Sequence, residues 1–363
     1  MVVQESSGQR AVKAPKLPYR PRDPKHYRPR IALVACGGIT QHHLAAYRKA
    51  GYTVAALCDV RVAAARQRQK EFYPEADVYA DYRDVLRRED IEVVDLAAHP
   101  REREKMIRAA LQARKHVLSQ KPFVEDLDVG ERLVELADRK GVVLAVNQNA
   151  RWAPHFRYLR EAIVSGLIGE VSAVHFAVHW DHSWVKNTAF ERIRHLILYD
   201  FGIHWFDMAC WYLGDRPVRR VYASVARVLG QPVRPPLLAQ ALLECDHAQA
   251  SVIFDGYTRF GKQDHTYVVG DRGTIESRGT GTKDQKVTLQ TETGRASPRL
   301  VGTWFPDGFH GTMAELLCSI EEHREPIHHA RHNLRSLAVC FAAVASAERH
   351  EPVVPGTVRT IRR

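Results

Sequence analysis

Three side chains of this 363-residue chain have the types and spacing needed for proton-transfer chemistry: Lys121, Asp200 and His204. A neutral imidazole can remove the proton of a hydroxyl group near neutral pH, and an ammonium can stabilise the alkoxide that develops. A carboxylate can orient the substrate or the imidazole. Asp200 and His204 are four residues apart in a predicted helix, so they would share one face. A helix-capping aspartate followed by a core histidine would show the same spacing.

Lys121 lies near the end of a short β-type segment, His116–Phe123, and is followed by a proline. Proline has a fixed φ and restricts the residue before it, because its ring clashes with that residue's backbone. We therefore expect the ammonium group to be held in place at the end of a strand.

That strand belongs to a series in which strands and helices alternate at intervals of roughly 20 residues. The strands are predicted at residues 31–36, 54–58, 78–79, 93–98, 116–119 and 142–146. This α/β pattern predicts a Rossmann-type parallel sheet with helices on both faces. The carboxyl ends of parallel strands lie along one edge, where such sheets bind ligands. We expect one crevice there, lined by the residues at those ends: Gly37, Asp59, His99, Lys121 and Gln148.

The turn after the first strand is a candidate dinucleotide site. A G-x-G-x-x-G fingerprint would fall on residues 35–40, where only the middle glycine, Gly37, is kept and Gly38 follows it. Asp59 ends the second strand 22 residues later, where a carboxylate can accept hydrogen bonds from ribose hydroxyls. Its charge would repel a 2′-phosphate, which favours NAD over NADP, although the nearby Arg61 softens that preference. A glycine turn that merely joins a strand to a helix would look similar.

After residue 150 the pattern becomes that of an α+β domain with a mostly antiparallel, open sheet. Strands are predicted at 171–179, 219–228, 240–246, 250–255 and 267–270, and helices at 154–165, 199–213, 311–324 and 330–349. We expect three parts: a basic, proline-rich arm (1–28), a nucleotide-binding Rossmann domain (29–149) and a substrate-binding and oligomerisation domain (150–363). A catalytic cleft should lie between the two domains.

The net charge of +11 is concentrated at the start of the chain, since residues 1–30 carry eight lysines and arginines against two acidic residues. The arm should be extended; it could pack on a neighbouring subunit or bind an anion, and a solvated tail fits equally well. Because the remaining charge is ordinary, we expect no nucleic-acid partner.

Other classes of protein are also disfavoured. There is no run of ~18 apolar residues and no secretory signal, so we expect no membrane partner and a cytoplasmic protein. The six cysteines are scattered, which is typical of reduced thiols. Histidines cluster before Asp200 but lack the spacing of zinc ligands, so no metal site is expected.

The chain resembles the Gfo/Idh/MocA oxidoreductases, the glucose–fructose oxidoreductase and inositol dehydrogenase group, over roughly residues 30–350. The family's Glu-Lys-Pro motif falls on Gln120-Lys121-Pro122, and its Asp-x-x-x-His motif falls on Asp200 and His204. The resemblance implies that Lys121 and His204 are the catalytic pair and that Asp200 orients the substrate. It also implies that the segment from Arg151 to Pro154 enters the second domain and that a closing helix at 333–349 packs back near the first. Gln120 and Ala35 depart from the family pattern, replacing a glutamate and a glycine.

We therefore expect an oxidoreductase that uses NAD, with NADP less favoured, to act on a secondary hydroxyl of a sugar, cyclitol or glycoside. Two alternatives remain open: a redox-neutral enzyme with tightly bound NAD, and a non-catalytic NAD-binding regulator. A homo-oligomer, a dimer or a tetramer, is also expected. Substrate contacts are predicted at Arg151, Trp180 and His182, although a lid or a subunit contact would explain the tryptophan-rich stretch around residue 180 nearly as well. Nucleotide contacts are predicted at Gly37, Gly38, Ile39, Asp59, Arg61, His99, Pro100, Gln120, Lys121 and Gln148.

Overall fold

The structure, a computed structural model, describes residues 10–361. Six parallel strands form the first sheet, in the spatial order β3-β2-β1-β4-β5-β6. Its strands are β1 (Arg30–Val34), β2 (Thr53–Cys58), β3 (Asp77–Tyr79), β4 (Ile91–Leu96), β5 (His116–Gln120) and β6 (Leu144–Asn147). Its helices are α1 (Thr40–Lys49), α2 (Val62–Phe72), α3 (Tyr82–Leu86), α4 (Pro100–Gln112) and α5 (Leu127–Lys140). The predicted Rossmann-type sheet is confirmed.

The central strands of the first sheet are buried along almost their whole length, because helices cover both faces. The strand ends meet at one edge, as the sequence predicts. In β5 and β6, Gln120 pairs with Asn147, so Lys121 and Gln148 leave their strands side by side.

Helix α5 shows how local sequence sets the element bounds. Asp126 caps its start by accepting hydrogen bonds from two backbone N–H groups, and Gly141 ends it in the left-handed region.

Eight strands form the second sheet, in the order β14-β13-β12-β11-β7-β10-β9-β8, and all neighbours are antiparallel except β7 and β10. These strands are β7 (Val171–His179), β8 (Val218–Ala226), β9 (Leu238–Cys245), β10 (Ala248–Asp255), β11 (Gln263–Gly270), β12 (Gly273–Gly279), β13 (Lys286–Thr291) and β14 (Gly294–Ala296). Burial alternates along β9 and β10, so one face of the sheet is covered and the other is open. The last three strands were not predicted, because glycines and polar residues interrupt their apolar pattern.

Four further helices cover the second sheet and join the two halves: α6 (Pro154–Val164), α7 (Ile203–Tyr212), α8 (Asp307–Glu321) and α9 (Ala330–Arg349). The long helix α9 packs against α7 and β8 on one side and against α5 and β6 of the first sheet on the other. Among the described residues, no helix is both long and apolar enough to cross a membrane.

The described part of the basic arm, residues 10–28, packs on its own chain. Ala11 pairs with Arg295 and extends the sheet beyond β14. Glu321 accepts hydrogen bonds from three consecutive backbone N–H groups of the arm, those of His26, Lys25 and Tyr27. These bonds lower the pKa of Glu321 to about 2. The arm is extended, as predicted, but the solvated tail is wrong for these residues; the rest of the arm lies outside the described residues.

Candidate active site

Lys121 connects the first sheet to the second half of the chain. Its Nζ donates hydrogen bonds to the backbone oxygen of Asp200 at 2.8 Å and to Oδ2 of the same residue at 3.1 Å. Both side chains are almost fully shielded from solvent. The Lys121–Pro122 peptide bond is cis. A charge-assisted pair with a second bond to the backbone fixes both the position and the direction of the ammonium group.

Asp200 lies in a π-helical turn, Ile197–Phe201, and not in the single long helix predicted over residues 199–213. The turn ends with a bond from the Gly202 N–H to the Ile197 carbonyl, at 2.6 Å. A Cβ atom at position 202 would lie 2.5 Å from the Leu198 carbonyl oxygen, so the turn needs a glycine there. Single π-helical turns of this kind are frequent at functional sites.

His204 lies in the first turn of α7 and is buried. Burial and then the charge of Lys121 hold the pKa of His204 well below its usual 6.5, so the imidazole is neutral at physiological pH. Its Nδ1 is fully enclosed and has no hydrogen-bond partner among the described residues. The ring centroid is 5.5 Å from that of Trp304 and 6.3 Å from that of Trp205, with both rings edge-on. Packing, and not a hydrogen bond at Nδ1, holds the imidazole.

Trp304 was not singled out from the sequence, yet it links His204 to the first sheet. Its indole N–H donates to Oδ1 of Asn149, just after β6, at 2.7 Å. Its ring also lies 6.3 Å, centroid to centroid, from Trp180. The Trp304–Asn149 hydrogen bond joins segments that are 155 residues apart. It is not part of any motif, so only the fold brings it about.

The glycine turn begins at Ala35, which stands where the fingerprint has its first glycine. That residue has φ 70°, in the left-handed region, which costs a non-glycine residue about 1 kcal/mol. Cβ atoms added at Gly37 and Gly38 would meet nothing within 4 Å, so the surface above the turn is open. Ile39 precedes α1, and no side chain caps the start of that helix. Open backbone N–H groups at a helix start suit a pyrophosphate.

Asp59 lies at the end of β2, as predicted, and holds the glycine turn. Its Oδ2 accepts from the backbone N–H of Cys36 and its Oδ1 from that of Arg61, both at 2.8 Å. Each carboxylate oxygen can accept a second hydrogen bond, so this role leaves capacity for ribose hydroxyls. The Arg61 side chain is exposed, with its Nε 3.8 Å from Oδ1 of Asp59.

The remaining residues predicted to contact the nucleotide lie along the same edge. His99 precedes α4 without capping it, and Pro100 is the first residue of that helix. The side chain of Gln120 turns back, and its Oε1 accepts from the Lys121 backbone N–H at 3.0 Å. The Gln148 carboxamide is buried, and neither of its polar atoms is bonded to a residue in the described range 10–361, which is unusual for a buried amide. The open glycine turn, Asp59 and this unsatisfied amide fit a bound dinucleotide.

Arg151, predicted to contact the substrate, forms a buried ion pair within the fold. Its guanidinium forms two hydrogen bonds with the Asp207 carboxylate, at 2.6 and 2.8 Å, and a further one with the Ile327 carbonyl. Both members of this ion pair are buried. Three of its five N–H groups are therefore engaged within the fold, which gives Arg151 a structural role, and its contact with the substrate stays a prediction. Its partner is 56 residues away, so the pairing was not visible in the sequence.

The other two predicted substrate residues lie beside the catalytic candidates. The Trp180 ring packs edge-on against Trp205, with centroids 5.6 Å apart. His182 is buried against Phe201, whose ring centroid is 4.3 Å away, and burial lowers the pKa of His182 to about 4. Within the described part of the chain, no group of three or more potential ligands could hold a metal ion.

Comparison with known proteins defines the class of this protein. Residues 29–148 match an oxidoreductase family with an NAD-binding Rossmann fold, and residues 156–276 match the Gfo/Idh/MocA C-terminal domain. The chain is therefore an NAD-dependent oxidoreductase. It belongs to the Gfo/Idh/MocA family, which confirms the resemblance drawn from the Lys-Pro and Asp-x-x-x-His motifs.

Named relatives are dehydrogenases. The chain is 28% identical to D-apiose dehydrogenase of Paraburkholderia graminis over 342 residues, 87% of each chain. It is 26% identical to inositol 2-dehydrogenase of Salmonella typhimurium over 253 residues, 68% of this chain and 73% of that one. An oxidoreductase from Agrobacterium radiobacter, solved with NAD+, L-tartaric acid and magnesium, superimposes with a TM-score of 0.81 at 21% identity, covering 91% of this chain and 99% of that chain. That last likeness concerns the fold alone.

Proposed function

We propose that this enzyme oxidises a secondary hydroxyl of a sugar, cyclitol or glycoside, with Lys121 and His204 as catalytic residues. The observation that carries the proposal is the fixed ammonium of Lys121 at the nucleotide edge, on the same side as a buried, neutral His204. The relatives named as D-apiose and inositol dehydrogenases support this substrate class.

Each residue has one task in this mechanism. Lys121 donates a hydrogen bond to the substrate oxygen and stabilises its negative charge as the proton leaves. His204 accepts that proton; since Nδ1 is enclosed, we assign this step to Nε2. Asp200 holds the ammonium in place through its carboxylate and its carbonyl. When bound, NAD supplies the oxidising power by accepting hydride from the carbon that carries the hydroxyl.

The cofactor is held, in this proposal, by the glycine turn and the strand ends. Gly37, Gly38 and the start of α1 at Ile39 bind the pyrophosphate, and Asp59 binds the ribose hydroxyls. The negative charge of Asp59 favours NAD over NADP, because a 2′-phosphate would meet it directly. His99, Pro100, Gln120 and Gln148, along the same edge, would hold the remaining part of the dinucleotide.

We also infer a homo-oligomer that forms through the open face of the second sheet. Three apolar side chains on that face are exposed, Tyr222 by 42%, Leu242 by 59% and Ile253 by 41%. An exposed apolar group on a sheet is a typical protein contact surface. A cytoplasmic location fits the six cysteines, which are all free and buried.

The proposed function is tested with a panel of free sugars, cyclitols and glycosides, followed by NADH absorbance. We expect steady NADH formation with at least one ring hydroxyl compound, faster with NAD than with NADP. NAD that stays bound through purification, with product formed but no net NADH, would favour the redox-neutral alternative. An enzyme that binds NAD but changes no compound of the panel would contradict the proposal.

A further inference from the structure

Three aromatic side chains form a continuous surface beside Lys121, which we call the aromatic wall: Trp184, Phe190 and Phe201. The centroid of Trp184 is 5.7 Å from Phe190 and 6.0 Å from Phe201, and both contacts are edge-on. Phe190 and Phe201 are stacked with centroids 6.4 Å apart. Each ring therefore packs against the other two.

The aromatic wall reaches from the catalytic ammonium to the nucleotide edge. The Lys121 Nζ lies 5.8 Å from the centroid of Phe201. At the other end, Phe190 packs edge-on against His99, with centroids 6.0 Å apart. The His182 ring packs against Phe201, with centroids 4.3 Å apart. The wall is thus part of the same cleft as the reacting groups.

The outer part of the wall faces solvent. Trp184 is 55% exposed, whereas Phe190 and Phe201 are partly covered. The segment that carries Trp184 and Phe190 has only two short 3-10 turns, at Ser183–Val185 and Ala189–Arg192. Apolar ring surface that stays exposed to water is unfavourable, so an exposed aromatic surface next to a catalytic group is typical of a ligand contact.

We propose that the aromatic wall is a subsite for a flat, apolar substituent on the substrate ring, so that the enzyme prefers aryl glycosides to free sugars and alkyl glycosides. The inference depends on the proposed function, because Lys121 and His204 fix where the reacting hydroxyl lies. With the hydroxyl there, a substituent on the same ring extends over Phe201 toward Trp184. An aryl group can stack on these faces and shield them from water, whereas a hydroxyl or methyl group covers little of them.

Binding is measured first, with an enzyme whose turnover is strongly slowed. The NAD-loaded His204→Ala enzyme is titrated calorimetrically with matched phenyl and methyl pyranosides of glucose, galactose, mannose and xylose. For at least one sugar we expect the phenyl glycoside to bind about tenfold more tightly than its methyl partner. Adding Trp184→Ala or Phe190→Ala should remove that preference, and the control Leu229→Ala, at a fully exposed position, should keep it.

The outcomes separate the subsite from the proposed function. Equal affinities for phenyl and methyl glycosides across the panel would overturn the subsite, even if the wild-type enzyme oxidises sugars. A phenyl preference that depends on Trp184, without any NADH formation by the wild-type enzyme, would support the subsite and contradict the proposed function. If Trp184→Ala changed the mass of the enzyme in solution and left ligand preference intact, the wall would be a subunit contact and the subsite would be wrong.

Discussion

His204 is packed against the rings of Trp205 and Trp304, and its burial keeps the imidazole neutral. A histidine whose pKa is lowered stays neutral, and so able to act as a base, as the pH falls below 6.5. Activity should therefore persist into mildly acidic conditions and be lost only when the pH falls through the lowered value. Trp304 is the ring nearest to His204 among its aromatic neighbours.

Trp304→Ala should move the acidic limb of the pH profile of kcat/KM to higher pH. Removing the ring admits water to His204, which stabilises the charged imidazolium and raises its pKa toward 6.5. Trp304→Phe keeps an apolar ring and should shift the limb less. Trp211→Ala removes a tryptophan that packs on arginines elsewhere, and it should leave the limb in place. An unchanged acidic limb in Trp304→Ala would mean that burial by this ring does not control His204.

At the residue scale, the catalytic residues were predictable where a sequence motif agreed with the predicted pattern of strands and helices. Lys121, Asp200 and His204 were all selected from the sequence, and the fold brings Lys121 and Asp200 into direct contact. The buried ion pair of Arg151 with Asp207 was not visible in the sequence, because the two residues are 56 positions apart. Trp304 could not be found at all, since a packing contact between distant segments leaves no local pattern.

At the scale of elements, the π-helical turn Ile197–Phe201 decides how Asp200 and His204 are presented. The sequence predicts one continuous helix over 199–213, because the local pattern does not reveal the additional residue of a π turn. A π turn contains one residue more than an α-helical turn. The direction of the Asp200 side chain therefore shifts relative to the faces of α7. Gly202 permits this arrangement because a side chain would meet two carbonyl oxygens.

Gly202→Ala should lower both the stability and the kcat of the enzyme. The added Cβ would lie 2.5 Å from the Leu198 carbonyl oxygen, so the turn has to open and Asp200 moves away from Lys121. Gly214→Ala is the matched control: its φ is 68° and nothing lies within 4 Å, so it should lose about 1 kcal/mol through backbone strain alone. Thermal unfolding and kcat are measured for both. Equal stability losses with equal kcat values would show that the turn does not position Asp200.

At the scale of the molecule, the two halves are joined by contacts that belong to the candidate site itself. The Lys121–Asp200 pair and the Trp304–Asn149 bond both cross between the first sheet and the second half. The arm and helix α9 add further connections. The fold class was predictable because each sheet has its own pattern of buried and exposed residues. The path of the arm was not predictable, because it is fixed by contacts with distant residues, such as Arg295 and Glu321, that have no signature in the sequence.

Leu242→Asp on the open face of the second sheet should dissociate the proposed oligomer. A charge buried without a partner at a subunit interface opposes association. Light scattering coupled to size-exclusion chromatography gives the mass of wild-type and variant. Leu229→Asp, at a position that is 100% exposed, should not change the mass. A monomeric wild-type enzyme, or an oligomer that survives Leu242→Asp, would place the subunit contact elsewhere or exclude it.

The most direct test of the catalytic assignment is the single-turnover rate of NADH formation in Lys121→Ala and His204→Ala, with the best substrate of the panel. We expect each rate to fall by ~100-fold or more, as is usual when an acid–base group or an oxyanion donor is removed. NAD affinity, followed by fluorescence, should change little in His204→Ala. Because Lys121 is also a predicted nucleotide contact, the rate of Lys121→Ala is measured at saturating NAD. The surface variants Lys49→Ala and His332→Ala should match the wild type. Rates in Lys121→Ala and His204→Ala that stay close to those of the wild type would contradict the assignment.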